Sequence, residues 1–259
     1  AGLDDSLEAA RTYLKHESGN AFHADNVDAF LRFGPEMLDF FEQKTEAKFA
    51  LSPAFPDYHP DAPGGMAGGR SVYAEPYDGH ELGDEIKFLR PQLRAVTFLG
   101  MMFSASNEVK HFFNATRSLS SAWYVAKRLS RHFLDIALHG RGMRLTNGNA
   151  LIARLAKTAF ALGIPIWTDA PARALTLDGG RVTGASLATK QGDVYVVARR
   201  GVVLACGGFP HGEKLRQRLM PHVARGAKHL SPAPDSNTGD GLSMAEEAGA
   251  ALDDKLPNA

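Results

Sequence analysis

From Ile164 to Gly241 the chain alternates strand-like and helical runs and twice interrupts them with glycine, which restricts the open folds more than any other feature. Ile164-Pro165-Ile166-Trp167 reads as a short strand. Arg173 to Leu177 and Arg181 to Thr189 alternate apolar residues on either side of Asp178-Gly179-Gly180, a pattern that predicts a β-hairpin. Gln191-Gly192-Asp193 turns into a third strand, Val194 to Ala198. A further strand, Gly201 to Ala205, ends in Cys206-Gly207-Gly208-Phe209, and Asn237-Thr238-Gly239-Asp240-Gly241 then opens an apolar helix. Upstream, Thr146 or Asn147 caps a helix carrying Leu151, Ile152, Leu155 and Phe160, closed by Gly163. The class this predicts is α/β with α+β character, containing a three-stranded β-meander.

The two glycine segments admit two readings. Cys206-Gly207-Gly208 is either a strand end that needs positive φ or a place where backbone approaches a ligand closely. Asn237 to Gly241 is either a capped helix start or an anion- and hydroxyl-binding turn, with helix N–H groups unpaired and Asp240 free to accept from a ribose or ribityl hydroxyl. Taken together and in this order, they point to a dinucleotide. No G-x-G-x-x-G fingerprint occurs in the chain, and the cluster Gly64-Gly65-Met66-Ala67-Gly68-Gly69 follows no strand.

The N-terminal part reads as helices. Asp5 or Ser6 caps one with Leu7, Ala10 and Leu14 on its apolar face, and Val27, Phe30, Leu31, Leu38 and Phe41 continue at helical spacing past an interruption at Gly34-Pro35. Pro53 to Pro91 is a long proline- and glycine-rich excursion. Asn107 to Leu138 reads as one helical block burying Phe112, Phe113, Leu119, Trp123, Tyr124, Leu129, Phe133 and Ile136. The implied division is 1–140, helical and loop-rich, and 141–259, α/β.

Several function classes are excluded by composition. Lys+Arg 29 against Asp+Glu 29 gives no electrostatic case for nucleic acid or an anionic membrane. No apolar run is long enough to span a bilayer. The single Cys206 precludes an internal disulfide and fits a reducing, cytoplasmic setting. The ten histidines include no H-x-x-x-H pair, so no metal site is expected, and no G-x-S-x-G elbow supports hydrolysis. The start, Ala1-Gly2-Leu3, lacks both Met and a basic leader, which suggests a sequence beginning within a longer protein.

These residues carry a resemblance. The Gly-Gly-Phe strand end, the Thr-Gly-Asp-Gly helix start and the hairpin segment Gly179 to Gly184 resemble the FAD-binding half of the fumarate reductase/succinate dehydrogenase flavoprotein superfamily. Phe55-Pro56-Asp57-Tyr58-His59-Pro60-Asp61-Ala62-Pro63-Gly64-Gly65, with Gly69-Arg70-Ser71 and Glu75-Pro76-Tyr77-Asp78, resembles its 3-ketosteroid Δ1-dehydrogenase branch. His59 departs from that branch, which has another aromatic there. The resemblance implies part of a FAD-binding Rossmann-like domain, with 53–91 as an active-site loop and the tail reaching the start of the substrate domain. Its cofactor contacts would be Ala170, after Thr168-Asp169, with Cys206, Gly207, Gly208, Asn237, Thr238, Gly239, Asp240 and Gly241. Tyr58 would be the catalytic residue present, assisting proton removal from a ketosteroid-like substrate while FAD accepts hydride. A fumarate-reductase-like enzyme reducing an unsaturated acid, or a non-catalytic nucleotide-fold domain, are the alternatives. With the family's pyrophosphate fingerprint absent, the chain by itself is expected to bind FAD weakly, to lack turnover and to self-associate through exposed strand edges. The electron acceptor is not indicated.

Overall fold

The computed structural model describes residues 5–92, 94, 97–104 and 108–252. Contacts divide the chain into two compact units, Ala1–Pro165 and Ile166–Ala259.

The first unit starts with helices α1 (Leu7–Ser18) and α2 (Ala24–Lys44). Ser6 caps α1, its Oγ accepting the Ala9 amide at 3.1 Å. α2 runs through Pro35 where the sequence suggested an interruption. A proline costs its helix one N–H bond and crowds the preceding turn, and here the nine residues after it, Glu36–Lys44, carry the helix on. Strand β1 (Phe49–Ser52) pairs antiparallel with β2 (Ser71–Ala74), and β3 (Tyr77–Asp78) pairs with β4 (Arg144–Leu145). A kinked 3₁₀ segment, Gly79–Phe88, follows β3. Helices α3 (Glu108–Phe113), α4 (Leu119–His139) and α5 (Asn147–Ala161) complete the unit. Its core is small: Ala74, Tyr77, Leu82, Leu89, Leu145, Ala150 and Ala153, with Ile86 and Phe160 against them. α5 packs on β2, β3 and β4 and so belongs to the first unit.

The single helical block expected over 107–138 is two helices, and residue 107 lies outside the described residues. Ser118 adopts an extended backbone and accepts the Ser121 amide, which restarts the helix as α4. The expected buried face is also corrected. Trp123 is 74% exposed and Leu119 91%, while Ser121, His132 and Asp135 are buried. Those polar side chains turn inward because partners wait there: His111 Nδ1 for Ser121, the Leu99 carbonyl for His132, and the Met143 amide, which donates to Asp135 at 3.0 Å. Thr146 stands at the N-cap of α5 but does not cap with its side chain; its hydroxyl donates to the Phe103 carbonyl at 2.9 Å.

The second unit contains the expected meander: β5 (Ala172–Asp178), β6 (Arg181–Thr189) and β7 (Gly192–Val197), antiparallel in the order β5-β6-β7. Gly179 and Gly180 take φ of 54° and 80°, the left-handed pair a tight hairpin turn requires. Helices α6 (Glu213–Leu219), α7 (Pro221–Ala224) and α8 (Asp240–Glu247) follow. The expected strands 164–167 and 201–205 are not strands among the described residues, because neither finds a hydrogen-bonded neighbour. The second keeps strand-like alternation: Val202 and Leu204 line a hollow with Leu175, Val182 and Ala245, while Val203 is 90% exposed. The mixed α/β class with α+β character stands.

Candidate cofactor and substrate site

In the second unit the two glycine segments meet. Gly207 has φ of 80°, and a Cβ there would come within 2.8 Å of the Asn237 amide nitrogen. A Cβ on Gly241 would lie 3.3 Å from the Cys206 side chain. The His211 amide donates to the Asn237 carbonyl at 3.0 Å, tying the strand end to the helix start. Gly239 sits at the N-cap of α8 with φ of 89°, and a Cβ would meet Leu215 Cδ1 at 2.1 Å. Among the described residues no side chain caps α8, and the first-turn amides of a helix have no intrahelical acceptor. The Thr238 hydroxyl donates to Asp240 Oδ1 at 2.8 Å and fixes that exposed carboxylate at the helix mouth. Cys206 is a free, exposed thiol.

Gly212 was not singled out by sequence reasoning. Its Cβ would meet the Thr238 carbonyl at 2.1 Å, so a bare backbone is needed there too. The signal was the turn Pro210-His211-Gly212 ahead of α6. Ala170 lies in the same unit, just before β5 and half-buried. It follows Asp169, a non-glycine residue at φ of 53° whose carboxylate pairs with Lys190 at 3.0 Å.

Tyr58 belongs to the first unit. It is 94% exposed and makes no hydrogen bond among the described residues. Its neighbours, by contrast, are pinned. The Asp57 amide donates to the Met66 carbonyl at 2.9 Å, Asp57 Oδ2 accepts from the Met66 amide, and Arg70 reaches Asp57 Oδ2 at 2.9 Å and Asp5 Oδ1 at 2.6 Å. The His59 amide donates to the Tyr13 hydroxyl at 3.2 Å, and His59 Nδ1 lies 2.7 Å from Glu17. Gly64 closes the loop on α1, where a Cβ would strike the Ala9 carbonyl at 2.2 Å. Tyr13 and Arg70 therefore anchor the proline-rich loop, and Tyr58 is left projecting from it. The hydrogen bond from Arg70 holds the Asp5 carboxyl below its usual value, and that from His59 does the same for Glu17.

A second concavity in the first unit, about 520 Å³, lies between β3, the 3₁₀ segment and α4. Tyr77 and Tyr124 wall it, and burial pushes both phenols above their ordinary values. Arg144 ion-pairs with Glu108. Burial lowers the Asp78 carboxyl's acidity, but hydrogen bonds from the His80 side chain and amide outweigh it and leave that group below its usual value. Tyr77 and Asp78 belong to the Glu75-Pro76-Tyr77-Asp78 segment that the sequence singled out, whereas Glu108, Tyr124 and Arg144 join them only in the fold.

The family model described as FAD binding domain matches residues 1–259. The 4-oxocyclohex-2-ene-1-carboxylate 5-dehydrogenase of Sinomonas cyclohexanicum is 37% identical, over 97% of this chain and 42% of that protein. The 3-oxosteroid 1-dehydrogenase of Mycobacterium tuberculosis is 33% identical, over 97% of this chain and 45% of its own. Among solved structures, the 3-ketosteroid delta1-dehydrogenase from Sterolibacterium denitrificans, in complex with 1,4-androstadiene-3,17-dione, superposes with a TM-score of 0.83 at 28% identity, covering 96% of this chain and 45% of that one. The chain thus spans less than half the length of these relatives. No helix among the described residues is long and apolar enough to cross a membrane, and no group of three or more metal-ligating side chains occurs among them.

Proposed function

Because the chain belongs to the FAD binding domain family, we propose that it forms part of a flavin-dependent dehydrogenase that removes hydrogen across a carbon–carbon bond beside a ketone, with a ketosteroid-like compound as substrate. The observation that carries this reading is the meeting of Cys206-Gly207-Gly208 with Asn237 to Gly241. These residues fit the cofactor. Positive-φ glycines leave backbone bare at Gly207 and Gly239, the first turn of α8 would offer N–H groups to an anionic or hydroxyl oxygen, and Asp240, steadied by Thr238, would accept from a sugar-alcohol hydroxyl. Ala170 would offer backbone to the adenine end. FAD, when bound, supplies the acceptor for a hydride from carbon. Tyr58 would assist loss of the neighbouring proton. A phenol is a weak base near neutrality, with a reference pKa of about 10, so it needs a second group beside it. The clamp of Arg70, Asp57 and Tyr13 holds the Tyr58 backbone in place for that role.

A carboxylated cyclic ketone is a competing substrate, since one relative is named for acting on 4-oxocyclohex-2-ene-1-carboxylate. The single cysteine fits a reducing, cytoplasmic setting, and apolar residues such as Val203 and Leu230, 90% and 91% exposed, favour self-association of the chain.

In the protein carrying this sequence, Tyr58→Phe is expected to lower kcat with 4-androstene-3,17-dione about a hundredfold while leaving flavin absorbance and flavin content unchanged. Parental turnover in the variant would remove Tyr58 from the chemistry. Turnover of the oxocyclohexene carboxylate without any turnover of the steroid would replace the substrate class, and fumarate reduction alone would overturn the reaction.

A further inference from the structure

We propose that the outward face of α4 rests on an anionic lipid surface, with Trp123, Phe133, Leu134 and Leu138 at the acyl boundary and Lys127 among the headgroups. This goes beyond the dehydrogenase reading and does not depend on it.

Helical spacing defines the face. Ser121, His132 and Asp135 are buried, so the opposite side of α4 points away from the first unit. That side carries Leu119, Trp123, Phe133, Leu134 and Leu138, each at least 50% exposed. Single exposed apolar residues are ordinary, whereas a row of them along one helix marks an interaction surface.

Charge selects what covers it. The whole chain is neutral, but Lys+Arg 29 against Asp+Glu 29 averages over segments of opposite sign. Between residues 109 and 140 the cations are Lys110, Arg117, Lys127, Arg128 and Arg131, and the one carboxylate is Asp135, buried where it accepts the Met143 amide. The carboxylates that the fold brings beside α4 have cations of their own. Asp78 pairs with His80 and Arg131, Glu81 with Lys157, and Glu108 with Arg144 while it also offsets Arg128. Lys110, Arg117 and Lys127 are left exposed without an ion pair among the described residues. α2 makes the contrast. It also exposes an apolar row, Phe30, Phe33, Met37 and Phe40, yet sets Asp25, Asp28, Glu36, Asp39 and Glu42 against Arg32 and Lys44, and an anionic surface would repel it.

Trp, Phe and Leu on one side with Lys and Arg beside them is the arrangement of a helix lying in a membrane interface. Lysine and arginine stems run along apolar surface there while their heads reach phosphate. Trp123 suits the headgroup level. With 21 residues α4 is roughly 30 Å long, and it would lie along the surface instead of crossing it, because its other side holds His132 and Asp135.

The test is cosedimentation of the protein carrying this sequence with vesicles of phosphatidylcholine alone, and of phosphatidylcholine with about one-quarter phosphatidylglycerol. Binding to the anionic vesicles is expected, weakened several-fold by about 0.5 M salt. Lys127→Gln should weaken it about fivefold and Leu134→Ser about tenfold or more, while Phe33→Ser on α2 leaves it unchanged. Trp123 and Trp167 are the two tryptophans, so in Trp167→Phe protein the emission reports Trp123 and should shift to the blue on anionic vesicles. Should a face variant not fold, that emission and the salt dependence decide. The proposal fails if anionic vesicles are not bound, if neutral ones are bound equally well, if Phe33→Ser costs as much as Leu134→Ser, or if the Trp123 emission stays put. A dimer that Leu134→Ser dissociates, with no vesicle binding, would also overturn it and assign the face to a second copy of the chain.

Discussion

At the scale of single residues, Gly239 carries the most constraint. It combines φ of 89° with a position where a Cβ would sit 2.1 Å from Leu215 Cδ1 and 2.8 Å from Phe209 Cβ. Two penalties are therefore separable. Gly239→Ala pays the left-handed backbone cost, about 1–2 kcal/mol, and also the overlap with Leu215. Adding Leu215→Ala to Gly239→Ala relieves the overlap but not the backbone. In chemical denaturation the double variant is expected to show a coupling energy that favours it over the sum of the single changes. Additive losses would mean that Leu215 already swings clear. Flavin affinity, where it can be measured, should fall with Gly239→Ala whether or not Leu215 is trimmed, because the added methyl alters the turn that aims Asp240.

Whole elements show which parts of the fold could be read from the sequence. The meander β5-β6-β7 was legible because its signals are local: period-two alternation, a Gly-Gly turn and a short second turn. The α4 face was not. Apolar spacing at Leu119, Trp123 and Phe133 suggested burial, but the buried side is set by partners outside the helix, the Leu99 carbonyl and the Met143 amide, which no helical period records. Similarly, Cys206 to Gly208 and Asn237 to Gly241 could be named as candidate segments, whereas Gly212 could not, since its close neighbour Thr238 is known only in three dimensions. The loop carrying Tyr58 lies between these extremes. Its prolines and glycines marked it as special, while the Arg70 clamp that orders it emerges only from the fold. That clamp is ionic at the Asp5 end, and the carboxyl is depressed below 3.8 chiefly by the Arg70 hydrogen bond. A depressed carboxyl stabilises the fold above its unfolded value and loses that contribution as pH falls through the lower folded value. The melting temperature of the parent should exceed that of Arg70→Gln by a constant margin above about pH 4, and the margin should shrink on further acidification. A margin unchanged down to pH 2 would show that Arg70 acts by packing on Tyr13, whose ring it covers at 5.9 Å, and not by charge.

For the molecule as a whole, the division after Pro165 has an energetic corollary. Leu145 is fully buried in the first unit's core, on the short strand that joins β3 to α5. Leu145→Ala removes a buried isobutyl group and leaves a cavity, a change worth about 2–5 kcal/mol in a core that cannot collapse around it. Gly184 is the counterpart in the second unit. A Cβ there would lie 2.0 Å from the Val196 carbonyl, so Gly184→Ala must part β6 from β7. If each unit holds its own core, hydrogen exchange should separate the two changes. Leu145→Ala should speed exchange through 77–89 and 144–161 and leave the amides of β5 to β7 within error, and Gly184→Ala should do the reverse. A response of both units to either substitution would mean that they unfold as one cooperative body. The candidate cofactor segments and the Tyr58 loop would then share one stability, and a substitution far from either could silence both.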